Sequence, residues 1–434
     1  LVRLNFAAIR GRQQQDARMP NGVSKDERLA IEGGVAVRNT PMAPWPHFTE
    51  EMVEAAARVL RSGKVNYWTG TETRQFETEF AAYAGTQHAV AVANGTVALE
   101  LALHALHVGP GDDVIVPART FVATGGCVLF RGARPVFADI DPHTQNITAE
   151  TIEAALTPAT RAVIVVHLAG LPCDMDPILE LAARRGLFVI EDCAQCHGAR
   201  YKGRPVGSMG HINAFSFCQD KILTTAGEGG MVTTNDPALW DRAWSYKDHG
   251  KSWDAVYHRK HPAPFKWLHE NPGTNWRLTE VQSAIGRIAL RSLDGWIAAR
   301  RRNAAQLDAA LVGLPGLKTF QPSADFYHSY YKHYAFLQLE ALVAGWTRDR
   351  IAQAVQAEGA FCGSGSCAEI YREKVFQDRN LQPARPLSVA QRMGDVSLMF
   401  QVHPTLTEAD IADTAAAVAK VLQSATAAPR RAAA

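Results

Sequence analysis

The sequence is short of several things. No apolar run in its 434 residues is long enough to cross a bilayer. Neither sign of charge dominates: 45 Lys and Arg stand against 43 Asp and Glu, a net charge of +2. Nothing in that balance points to nucleic acid or to an anionic membrane surface. The seven cysteines are odd in number and irregular in spacing. That favours a reducing, cytoplasmic setting over a disulfide framework. Internal repeats are missing. A phosphate loop is missing too: "GKS" at 250–252 would need a glycine at 245, where Ser245 stands. "GSGSCA" (363–368) fits a dinucleotide-type glycine pattern but lacks the strand–turn–helix context that gives the pattern meaning.

What is present is an ordinary globular composition, 47% apolar and 20% charged. From residue 89 onward, short apolar runs alternate with helix-like segments. The runs are 89–93, 113–117, 134–140, 162–167 and 187–192. Several are continuously apolar, as strands buried on both faces are. This predicts an α/β domain with a mainly parallel sheet. Two more strands, 214–217 and 229–234, flank a lysine segment. Residues 251–276 read as a long loop, and a helix runs from about Thr279 past Arg301. A smaller α+β unit follows, ending in a helix that starts near "TEADI" (407–411). The expected division is a tail or arm over 1–44, a large domain over 45–300, a small domain over 301–424 and a disordered tail over 425–434. Residues 1–27, with Arg3, Arg10, Arg12 and Arg18, read as a flexible tail or as the result of a start placed upstream of Met19.

In a parallel sheet, ligands gather at the carboxyl ends of the strands. Asn94-Gly95-Thr96 follows one such end and opens a helix. It is either an anion cradle or an ordinary cap. Asp192 ends another strand, and a buried carboxylate there needs a cationic partner. Lys221, in "SFCQDKILTTAGEGG" (216–230), is a lone cation among small and hydroxylated residues. Cys193 and Cys196 form a C-x-x-C, read as thiols filling packing space, not as a redox or metal pair. His104 and His107 read as packing or surface residues. A phosphate cradle, an edge carboxylate and an isolated lysine on one side of one sheet are the three things that pyridoxal phosphate needs.

The motifs also carry a likeness. "NGTVALELAL", "GPGDDVIVPARTFVAT", "GARPVFADIDPHTQNI", "VIEDCAQCHGARYKGRPVGSMG", "FSFCQDKILTTAGEGGMV" and "GTNWRLTEVQSAIG" occur in order. Together they resemble the DegT/DnrJ/EryC1/StrS sugar aminotransferases, from about Trp45 to "HPTLTEADI" (403–411). The resemblance implies the fold-type-I transferase architecture, with a seven-stranded sheet in the large domain. It implies pyridoxal 5'-phosphate on Lys221 as a Schiff base, with Asp192 facing the pyridine nitrogen. It places Phe121 on the cofactor ring, Gln195 near the ring hydroxyl, and Gly95, Thr96 and Ser216 at the phosphate. Asn275 is lent to the phosphate by the neighbouring subunit, which implies a homodimer with shared sites. Arg277 helps define that pocket, and Tyr67, Trp68 and His167 are candidates for substrate contact. Residues 364–376 are expected to line the acceptor pocket. The reaction implied moves an amino group from an amino acid, glutamate, to a keto-sugar. The alternatives are a glutamine-dependent cyclitol or aminoshikimate-type aminotransferase, a dehydratase relative in which histidine commonly replaces the lysine, and a non-enzymatic sensor or scaffold. No metal is expected.

Overall fold

The computed structural model describes residues 28–264 and 266–426. The strand signals of the sequence map onto one seven-stranded sheet. In chain order the strands are β1 (His88–Val92), β2 (Asp113–Pro117), β3 (Arg134–Ala138), β4 (Thr160–Val166) and β5 (Phe188–Asp192). The two-residue strands β6 (Arg200–Tyr201) and β7 (Arg204–Pro205) lie outside it, and β8 (Ile212–Ser216) and β9 (Gly230–Thr234) complete it. The spatial order is β1-β9-β8-β5-β4-β2-β3. Only β9 runs against the rest, antiparallel to both β1 and β8. The sheet is buried on both faces, which is why β2, β4 and β5 read as continuous apolar runs: Ile115, Ile164 and Ile190 are all fully buried.

The helices of this part are α1 (Glu50–Ser62), α2 (Glu72–Ala84), α3 (Gly95–Ala105), α4 (Ala123–Phe130), α5 (Ala149–Ala154), α6 (Met175–Arg185), α7 (Pro237–Lys247) and α8 (Trp253–Tyr257). They are followed by the 32-residue α9 (Glu280–Leu311). The start of α9 is fixed by a capping box: Thr279 accepts from the Gln282 amide, and the Gln282 side chain accepts from the Thr279 amide. Its Glu280 carboxylate accepts the Glu72 and Thr73 amides at 2.6 and 3.1 Å, capping α2. Position 300 falls in the middle of α9, so this helix passes unbroken from the large unit into the small one.

The small unit holds a second sheet of β10 (Leu317–Thr319), β12 (His333–Leu337) and β13 (Ser397–Phe400), in that order. Between them β11 (Phe326–Tyr327) pairs with β6. The last helix spans Glu408–Thr426, with Ala425 buried, so residues 425 and 426 belong to it and not to a tail. Residues 28–44 are held against the small unit: Ala30 and Val37 amides donate to the Glu358 carboxylate, and Lys420 donates to the Val35 carbonyl. Expectations for residues 1–27 and 427–434 lie outside the described residues.

No described helix is long and apolar enough to cross a membrane.

Candidate active site

The carboxyl ends of β1, β2, β5 and β8 open onto a cavity of about 880 Å³. Gly95, Thr96, Phe121, Asp192, Gln195, Ser216 and Lys221 all line it. The turn from β1 into α3 uses Asn94 as its cap, whose side chain accepts from the Val97 amide at 3.0 Å. The first helical amides, those of Gly95 and Thr96, have no acceptor among the described residues, and they carry the positive end of the helix dipole. Gly95 is required here by close approach. A Cβ at this position would stand 2.5 Å from the Ser216 Cβ. The hydroxyl of Ser216, at the end of β8, therefore joins the two amides in one anion cradle.

Asp192 ends β5 with its side chain in the cavity wall. One oxygen accepts from the Thr124 hydroxyl at 3.0 Å and the other from the Ala194 amide at 3.2 Å. Burial pushes its pKa up, and the Ala194 and Thr124 hydrogen bonds and the charge of Lys221 oppose this. No cation stands within 4.0 Å of it among the described residues. A carboxylate so placed is short of a positive partner.

Lys221 lies on the connection from β8 to β9. Because β9 returns antiparallel from the Ser216–Gly230 pair, that connection must sit at the ligand edge of the sheet. The Lys221 ammonium donates to the Tyr331 hydroxyl at 3.4 Å and stands 3.6 Å from Asp220. The Tyr331 hydroxyl in turn donates to Asp220. The backbone carbonyl of Lys221 accepts from the Trp45 indole at 2.9 Å, which ties the lysine from behind. Gln195 spends its oxygen on the Ala169 amide at 2.8 Å, leaving its NH2 to face the cavity. Phe121 is 66% exposed, an aromatic face open at the cavity mouth.

Tyr67, Trp68 and His167 do not line this cavity. His167 is fully buried below it, donating through Nε2 to Glu191 at 3.0 Å and accepting the Cys173 amide on Nδ1 at 2.9 Å. Both ring nitrogens are engaged, so it has nothing to offer a substrate. Tyr67 is buried in a separate cluster: its hydroxyl accepts from the Trp244 indole at 3.1 Å and donates to Glu77 at 3.3 Å, under the Lys247 ammonium 3.6 Å from its ring centre. Trp68 packs edge-on to Trp244, with Lys251 3.9 Å from its ring centre. Asn275 and Arg277 are also outside the cavity of their own chain. Asn275 bridges to Asp248, and Arg277 donates to the Asp248 carboxylate at 2.7 Å.

His167, Cys193 and Cys196 bring three potential ligand atoms within 4.8 Å. Both nitrogens of His167 are already engaged, Nε2 with Glu191 and Nδ1 with the Cys173 amide, and burial pushes both thiols up, which fits the reading of these thiols as packing groups.

Several cavity residues escape a reading of the sequence. Thr124 follows Thr120 by one helical turn, hydroxyl to hydroxyl at 2.9 Å, and supports Asp192. Gly365, Ser366 and Cys367, within the 364–376 segment expected at the acceptor pocket, also line the cavity, whereas Tyr331, Lys332 and Tyr334 of the small unit were not foreseen. Only the polar "SYYK" (329–332) ahead of an apolar strand could have flagged them.

The donor set fits pyridoxal phosphate on chemical grounds. The amide cradle matches a phosphate, Asp192 lacks the cation that a pyridinium supplies, and Lys221 is the amine between them.

Comparison with known proteins agrees. Residues 46–419 match the model of the DegT/DnrJ/EryC1/StrS aminotransferase family. A dTDP-3-amino-3,4,6-trideoxy-alpha-D-glucose transaminase of Streptomyces venezuelae is 44% identical over 63% of this chain and 69% of its own. An L-glutamine:2-deoxy-scyllo-inosose aminotransferase of Streptoalloteichus tenebrarius is 38% identical over 91% of this chain and 97% of its own. The X-ray structure of an aminotransferase from Psychrobacter cryohalolentis superposes with a TM-score of 0.86 at 52% identity, covering 87% of this chain and 98% of that one. The α/β fold, the cradle, the edge acid and the cavity lysine thus converge: this chain belongs to the DegT/DnrJ/EryC1/StrS family and is a pyridoxal-phosphate-dependent aminotransferase.

Proposed function

We propose that the enzyme moves an amino group from glutamate to the keto group of a nucleotide-linked sugar, feeding the synthesis of an amino-sugar for a surface polysaccharide or a secondary metabolite. The observation that carries the reading is the pairing of Asp192, a buried carboxylate without a cation, with Lys221 in a single cavity. When bound, pyridoxal phosphate supplies an aldehyde for the amine and a ring that accepts an electron pair. The chain's own residues do the rest. Asp192 would hold a proton on the ring nitrogen, Gln195 would hydrogen-bond the ring hydroxyl, and Phe121 would cover one ring face. Gly95, Thr96 and Ser216 would bind the phosphate. The Lys221 amine would move a proton at the substrate carbon, with the Tyr331 hydroxyl at 3.4 Å to orient it. Amino donor and acceptor use the same cavity in turn.

A second reading replaces glutamate by glutamine and the sugar by a cyclitol. It is favoured by the likeness to the inosose aminotransferase, which extends over 91% of this chain.

Borohydride treatment of the yellow enzyme should fix the cofactor on Lys221, and label on another lysine would end the proposal. Release of 2-oxoglutarate from glutamate, followed by amine return to nucleotide-linked keto-sugars or to free inososes, separates the two readings. No release from either donor would sink both.

A further inference from the structure

Lys332 is a second ammonium in the cavity wall that the roles above leave unused. It immediately precedes β12, two residues before Tyr334, so the two side chains share one face of the extended chain, and both reach the cavity. Lys332 has no carboxylate within 4.0 Å among the described residues. The acid that acts on it, Asp220, is already engaged by the Tyr331 hydroxyl and by Lys221. Burial lowers the Lys332 pKa to about 8, Asp220 opposes this, and Arg300 and Lys221 add to it. The same wall is backed by another uncompensated cation. Arg119 is 1% exposed and lies 5.6 Å from the Tyr334 ring centre. It donates to the Ser364 carbonyl, and its Nε and Nη1 are buried without partners. This wall is therefore short of an anion.

The position of Lys332 says which anion. The ammonium groups of Lys221 and Lys332 lie 5.0 and 4.7 Å from the centre of one ring, that of Tyr331. The phosphate has its own cradle of amides. A donor amine must come to Lys221, and in an α-amino acid the carboxylate sits one bond from the carbon that bears the amine. We propose that Lys332 receives the α-carboxylate of the amino-acid donor and sets the enzyme's demand for an α-amino acid. The inference rests on the transaminase chemistry and holds for glutamate and glutamine alike, since both carry that group.

The test uses the holoenzyme and reads the cofactor's absorption as donor is added, so binding is measured apart from turnover. L-Glutamate and L-glutamine are compared with their α-amides, which keep the amine and lose the acid. Wild type should prefer the acids. Lys332→Met should weaken the acids by about 10- to 100-fold, the range for a charge-assisted hydrogen bond, and bring acid and amide within about threefold. Lys332→Arg should keep most of the preference, which a merely structural lysine would not explain. Lys332→Gln serves as the neutral variant if the methionine fails to load cofactor. An acid preference that survives neutral substitution overturns the proposal, as does an equal loss for acid and amide. A wild type that reacts with no α-amino acid overturns the donor chemistry itself, before any Lys332 variant is made.

Discussion

Asp192 and His167 show how far a single residue can be read. Both are polar, buried and at the end of an apolar strand. The sequence makes them equivalent candidates. Only the structure shows that His167 is saturated by Glu191 and Cys173 whereas Asp192 has oxygens in a cavity wall and no cation. The difference lies partly in contacts as far as 24 and 68 positions away, which no local pattern encodes. Asp192→Asn should therefore fold normally and lose about 100-fold or more in the half-reaction with glutamate, the scale for removing a preorganised charge. Near-normal turnover would make Asp192 structural. Tyr67 supports the opposite expectation. Tyr67→Phe strips the acceptor from the Trp244 indole and the donor from Glu77. It should cost about 1–3 kcal/mol in urea unfolding, with donor and acceptor KM unchanged. A raised KM at unchanged stability would return Tyr67 to the substrate site.

At the scale of elements, the large sheet was legible because burial on both faces writes an unbroken apolar run. The start of α9 was legible from its apolar spacing, and the Thr279–Gln282 capping box is the local device that fixes it. The small unit was less so. β10 and β11 have three and two residues, too few for any periodicity, and their placement depends on partners far along the chain. Residues 251–276, read as loop, contain the one-turn α8, capped by Ser252. Element junctions also carry the acid sensitivity of the fold. The Glu191 carboxylate accepts the Gly207, Met209 and Gly210 amides at 2.6–2.9 Å, besides His167, and so knots β5 to the turn before β8. Burial alone would raise its pKa, but His167 and the amides outweigh burial and hold it below its ordinary 4.5. The unfolded chain then binds the proton more readily than the folded one, so this contribution is present above pH 4.5 and is lost as pH falls through the folded value. Unfolding free energy followed from pH 6 to pH 3 (about that range) should drop less steeply in Glu191→Gln than in wild type. The variant should also be less stable at neutral pH. Parallel curves would remove Glu191 from the acid transition.

For the whole molecule, the question is where Asn275 and Arg277 act. They sit outside the cavity of their own chain, fixed by Asp248 between α7 and α8. Meanwhile the cavity mouth carries the large apolar ring of Phe130, 68% exposed and given no role toward the cofactor. An open apolar rim beside a polar site is the kind of surface that a second subunit covers. Together with the family resemblance, this supports a homodimer in which Asn275 and Arg277 complete the partner's phosphate site. In a two-fold dimer each site would then combine Lys221 of one subunit with Asn275 of the other. Lys221→Ala and Asn275→Ala enzymes should each be impaired. In their heterodimer one site carries both lesions and the other carries neither. Mixing under conditions of demonstrated subunit exchange should restore activity, to at most about half of wild type per heterodimer. Dilution toward monomer should release cofactor, because part of its phosphate site would leave with the partner. Exchange without recovery would put Asn275 in its own subunit's chemistry or outside the site, and the shared-site dimer would fall.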